Sequence, residues 1–178
     1  MRRIILLGHL IIASLTLPLI LMVATSGGLY LIGVKGESVS TEIELPANVN
    51  LDFESASLDS DIKALIKQLK LDIQYEYLKN RGSLVQTRPT SKTHLEFSNA
   101  NGVLKLVKKQ PNLQSSMIEL HKGHGPTAFK TYQKFVALCL ILVLLSGIWM
   151  GLTNKNLRRK TLISMGLGFT VFFFLVLF

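Results

Sequence analysis

Hydrophobic and polar positions separate along this chain into three long apolar runs and one mixed middle. Ile4–Val34, Phe135–Leu152 and Thr161–Phe178 contain no Asp, Glu, Lys or Arg. At about 1.5 Å of rise per helical residue, each run reaches roughly 27 Å or more, near the hydrocarbon thickness of a bilayer. The pattern predicts an integral membrane protein with three transmembrane helices. Pro18 is expected to kink the first helix, with the Thr16 hydroxyl taking up freed backbone bonding. That run outlasts a bilayer, so its last turns are expected to emerge or tilt. It is also far longer than the apolar part of a signal peptide, and no small-residue cleavage site follows it, so a retained span is expected.

The middle of the chain reads as one small α+β domain, a helix followed by an antiparallel meander. Leu58, Ile62, Leu65, Ile66 and Leu69 fall on one helical face. Ser57 or Asp59 suits the start of that helix, and Lys67 and Lys70 suit its negative end. Ile73, Tyr75 and Tyr77 then alternate with Asp72, Gln74 and Glu76, which predicts a half-buried strand. Asn80-Arg81-Gly82 predicts a turn, Ser83–Arg88 a second strand, and Pro89 to Lys92 a break. Thr93, Leu95 and Phe97 alternate with His94, Glu96 and Ser98 in a third strand. Asn99 to Gly102 gives another turn, and Val103–Lys108 a fourth strand. Thr41–Leu45 is a candidate edge strand. The expected layout is a first span over 1–34, the folded domain over 35–131, a second span over 132–153, a short turn over 154–160 and a third span over 161–178.

Charge adds direction to this layout. All 11 acidic residues lie between Glu37 and Glu119. Arg2 and Arg3 precede the first span, and Lys155, Arg158, Arg159 and Lys160 follow the second. Short basic loops stay cytoplasmic. The N-terminus and the 154–160 turn are therefore expected in the cytoplasm, with the folded domain and the C-terminus outside. The formal net charge of +9 then belongs to the membrane flanks, since 12 basic residues nearly balance the 11 acidic ones between Gly36 and Lys130. This argues for anionic lipid headgroups and against nucleic acid as the partner of the basic residues. Cys139 is the only cysteine, so no internal disulfide forms, and a small packing residue is expected there.

The residues with chemical potential are few. No nucleophile, phosphate-binding or metallopeptidase motif occurs, and no paired carboxylates lie in an apolar run, so the chain reads as non-enzymatic. Four histidines remain. His94 falls on the polar side of its strand and is expected to be solvated. His9 lies inside the first span, where an ionisable side chain is by default a functional candidate or bonds to a neighbouring helix. His121 and His124 are spaced i, i+3, a spacing that would put both on one metal. Two histidines fall short of the three or four ligands of a stable site, however. Gly123, Gly125 and Pro126 suit an elbow between domain and membrane.

Two stretches resemble PepSY-associated transmembrane proteins. The first runs from Gly8-His9-Leu10 through Ala24-Thr25-Ser26-Gly27-Gly28-Leu29-Tyr30-Leu31, similar to the family's opening helix. The second runs from Leu120-His121-Lys122-Gly123-His124-Gly125 to Leu145-Ser146-Gly147-Ile148-Trp149-Met150, similar to a later one. The resemblance implies a bacterial inner-membrane protein, multi-pass, with a periplasmic PepSY-like α+β domain inserted after the first span. It implies a module that binds a protein partner or a second copy and docks to a larger membrane complex. Larger relatives include haem-bearing reductases, which gives the alternative: a haem- or metal-binding subunit in transmembrane electron transfer or in iron or copper handling. His9, His121 and His124 are the candidate ligands, and b-type haem the candidate cofactor. On the expected layout His9 and His121 lie on opposite sides of the bilayer, so one chain does not clamp one haem with both. Ligation by His9 calls for a second copy or another subunit.

Overall fold

The computed structural model describes residues 2–46, 49–100 and 103–178. In chain order the elements are α1 (Arg2–Leu31), β1 (Ser38–Ile43), α2 (Leu58–Gln68), β2 (Tyr77–Asn80), β3 (Leu84–Arg88), β4 (His94–Ala100), β5 (Val103–Pro111), α3 (Leu113–His121), α4 (Thr127–Thr153) and α5 (Lys155–Leu177). They fall into two compact units, one formed by Met1–Leu19 with Lys134–Phe178 and the other by Ile20–Gln133.

The first unit is helical. The three apolar runs form α1, α4 and α5, each long and apolar enough to cross a membrane. Within the unit, Thr16, Leu19, Val136 and Cys139 are buried, while α5 buries none of its residues. Pro18 lies inside α1. The Thr16 hydroxyl donates to the Ile12 carbonyl (2.8 Å), one turn back, and not to the Ser14 carbonyl that Pro18 leaves without its usual donor. The stretch expected as a turn over 154–160 is helical from Lys155 onward. Asn154 alone breaks the helix, with extended backbone and a side chain that accepts from the Asn156 amide. Gly151 makes the reversal feasible: a Cβ there would stand 2.5 Å from the Thr161 Oγ1.

The second unit carries a five-stranded antiparallel sheet in the order β1-β5-β4-β3-β2. The α2 helix lays Leu58, Ile62, Leu65 and Ile66 on one face, against Val85, Leu95, Phe97 and Leu106. Full burial of such side chains stabilises by about 1.5–3 kcal/mol each, so this layer dominates the domain's stability. The expected helix, the edge strand and the last three strands of the meander appear within a few residues of their predicted positions. The Asn99–Gly102 turn falls partly outside the described residues, at Asn101 and Gly102.

Two features differ from the sequence expectation. The alternation over Asp72–Tyr77 predicts a strand, yet β2 begins only at Tyr77. β3 ends at Arg88, opposite Tyr77, and Pro89 has no amide to extend the ladder, although the Glu76 amide still donates to the Arg88 carbonyl (2.8 Å). The side chains there reach other elements: the Tyr75 hydroxyl donates to Asp59 Oδ1 (2.9 Å), and Glu76 accepts from the Thr127 amide (2.8 Å) and hydroxyl. The second difference is α3, which the hydrophobic pattern does not announce. It follows Pro111 and is capped by Asn112, whose side chain accepts from the Ser115 amide (2.9 Å). Gly36 lies against this cap at φ +73, where a Cβ would collide with the Ser115 backbone nitrogen.

Candidate functional site

The alternation that sends Val85, Thr87, Leu95, Phe97 and Leu106 under α2 sends Gln86, Arg88, His94, Glu96 and Lys109 to the opposite face. That second face is only partly open to solvent. The α3 helix and the turn after it, through Glu119, Lys122 and His124, close over it and leave a polar cleft of about 240 Å³. His94 is therefore corrected from the solvated residue expected of it. It is only 6% exposed. Its Nδ1 donates to the Lys92 carbonyl (2.9 Å), and its Nε2 stands 3.9 Å from Glu96.

Arg88 forms the floor of the cleft and is 3% exposed. Its Nη1 donates to the Thr90 hydroxyl (2.8 Å) and its Nη2 to the Gln86 side-chain oxygen (3.4 Å). Glu119 Oε2 stands 4.0 Å from Nη1. That oxygen also accepts from the Thr90 hydroxyl (2.6 Å) and lies 2.7 Å from His124 Nδ1, while Oε1 accepts from Lys122 (2.7 Å). Glu96 is held in the same way, by Lys109 (2.5 Å) and the Gln86 amide.

Burial opposes ionisation of both carboxyls, yet the donors around them more than reverse it. His94, Lys109 and Gln86 hold the Glu96 pKa at about 2. Lys122, Thr90 and His124 do the same for Glu119, also at about 2. Burial lowers the Arg88 pKa, and the nearby positive charge of Arg81 adds to that effect. Both carboxylates are thus committed to their own cations, whereas the buried guanidinium makes its close bonds to neutral oxygens.

The three candidate histidines are not brought together. His124 belongs to the polar cleft. His121 faces away from it, with Nδ1 3.1 Å from the Ser26 hydroxyl, beside a mainly apolar hollow of about 450 Å³ lined by Ser26, Gly27, Tyr30, Leu31 and Ile118. The helical spacing fails because α3 ends at His121 and Gly123, at φ +74, turns the chain before His124. In the other unit, His9 Nδ1 lies 2.8 Å from the Ser146 hydroxyl of α4, so its ring faces a neighbouring helix. Among the described residues, no three His, Cys, Asp or Glu side chains gather as metal ligands do. The central residues of the cleft, Arg88, Thr90, Glu96 and Glu119, carry no motif. The one signal in the sequence is parity, since Gln86 and Arg88 on one strand and His94 and Glu96 on the next all fall opposite the apolar positions.

A family model described as PepSY_TM-like matches residues 28–178. The match takes in the folded domain, α4 and α5, and includes the Leu120–Met150 stretch. It begins at Gly28, so most of the Gly8–Leu31 stretch precedes it. No curated protein and no solved structure matches the chain significantly.

Proposed function

Because the chain belongs to the PepSY_TM-like family, a family of membrane-associated proteins, we propose that it is a non-enzymatic membrane module. Its PepSY-like domain lies on the periplasmic side of a bacterial inner membrane and binds a partner. Its helices dock to a larger membrane complex, with the N-terminus in the cytoplasm. The observation that carries this reading is the half-open polar cleft on the sheet face opposite the core. This face buries an arginine and a histidine beside two carboxylates, and desolvated charges are unfavourable unless paired and hydrogen-bonded. The carboxylates have close cations, while Arg88 makes its close bonds to neutral oxygens and faces the cleft. The lining holds donors and acceptors but no nucleophile activated by a base, which fits recognition better than turnover. His121 and His124 line different hollows, which favours this reading over a haem clamped by that pair.

The test is a photo-crosslinking residue placed at Ser115, which lines the cleft, in the full chain in native membranes. A control at Lys63, on the exposed side of α2, is made in parallel. The expected result is a discrete protein adduct from position 115 that is absent from position 63. Equal adducts from both positions, or none from either, overturn the reading. A Soret band in the purified chain that disappears on His9→Ala replaces it with haem carriage.

A further inference from the structure

We infer that the polar cleft receives an oxyanion, a carboxylate or phosphate group borne by the ligand, with Arg88 at the floor and Arg81 at the rim as its counter-charges. This deepens the reading above and rests on the cleft being the binding face of the module. The argument begins with charge. Four fixed cations line the cleft, Arg81, Arg88, Lys109 and Lys122, against two carboxylates, Glu96 and Glu119. Lys109 lies 2.5 Å from Glu96 and Lys122 lies 2.7 Å from Glu119. Those two pairs are complete, and the excess resides on the two arginines.

Geometry points the same way. A guanidinium carries five donors in a planar fork that matches a carboxylate or phosphate bidentately. Arg88 uses one donor well, on Thr90, and one weakly, on Gln86. The nearest carboxylate oxygen stands 4.0 Å away and already serves Thr90 and His124. A buried cation with donors to spare, facing a cleft of about 240 Å³, is completed by an anion entering from that cleft. The volume admits a small acidic group or the acidic end of a longer ligand. His94 and His124 flank the same space and report on its occupancy.

The experiment uses the full chain in lipid nanodiscs with isotopically labelled histidine. Sodium acetate and inorganic phosphate are titrated separately at constant ionic strength against chloride. The expected result is a saturable shift of the His94 and His124 imidazole nitrogens with at least one oxyanion and none with chloride. Tighter phosphate identifies a phosphate-bearing ligand, and tighter acetate a carboxylate-bearing one. Arg81→Gln, at an exposed position, is expected to weaken binding about tenfold with the fold intact. Arg88→Lys keeps the charge, loses the fork and is expected to weaken binding as well. No saturable shift with either anion overturns the inference, and so does an unchanged affinity in both variants. Failure of both anions with the Ser115 crosslink intact overturns this inference alone. Anion binding without any crosslink overturns the partner reading and leaves the oxyanion site standing.

Discussion

Glu119 accepts from Lys122 and Thr90 and lies against His124, and this single carboxylate ties α3 to the loop after β3. Its pH behaviour follows. An unperturbed glutamate titrates at 4.5, whereas Glu119 and Glu96 titrate at about 2 in the fold. The folded value lies below the unfolded one, so the unfolded chain binds more protons at acid pH. Their contribution is fully present above about pH 4.5 and is lost as pH falls toward 2. Urea unfolding followed across that window is expected to show a falling midpoint, and Glu119→Gln with Glu96→Gln is expected to flatten the slope. A slope unchanged in the double variant would show that other carboxyls control the acid response. Little of this site was legible in the sequence. His124 stood out for its type and neighbours, but Arg88 and Thr90 are ordinary residues until β3 and α3 are placed together. Strand alternation predicts a solvated His94 because it names a face without saying what covers it.

Elements were more legible where one periodic signal sufficed. The apolar face of α2 is plain in the spacing, and the structure buries Leu65 to 5% exposure. Leu65→Ala is expected to cost about 2–5 kcal/mol through lost burial and the cavity left behind. Lys63→Ala removes an exposed pair with Asp59 and a cation–π contact with Tyr75 and is expected to cost about 0.5–1.5 kcal/mol. Chemical denaturation of the two variants checks the contrast. Elements set by distant partners were not legible. β2 starts late because its partner β3 stops at Arg88, where Pro89 ends the ladder. Glu76 supplies the first turn of α4 with the acceptor that Pro126 cannot offer, receiving both the amide and the hydroxyl of Thr127. Glu76→Ala is therefore expected to speed amide hydrogen exchange in the first turn of α4 while the β4 amides stay unchanged. Uniform exchange in the variant would show that the cap is dispensable. The short α3 lacked a strong apolar stripe, and its one sequence mark was Pro111-Asn112 ahead of Leu113.

At the scale of the whole molecule, three apolar helices and the confinement of acidic residues to the middle imply a direction. A reporter fused after Phe178 is expected to give a periplasmic signal, and one inserted at Asn154–Asn156 a cytoplasmic signal. The same side for both contradicts a three-span layout. The three apolar helices are plain in the sequence, because hydropathy acts over tens of residues and needs no tertiary contact to be read. The sheet order has a further consequence, in time. β1 pairs with β5, Ser38 opposite Pro111, so the first strand synthesised waits for the last. At roughly 5–20 residues per second on the ribosome, that wait lasts about 4–15 s. Throughout it Ser38–Ile43 is a lone strand beside a newly made apolar helix. Its serines, threonine and Glu42 make it a poor template for pairing with another nascent chain. The polarity of β1 thus protects an interval of biosynthesis that the finished fold no longer displays.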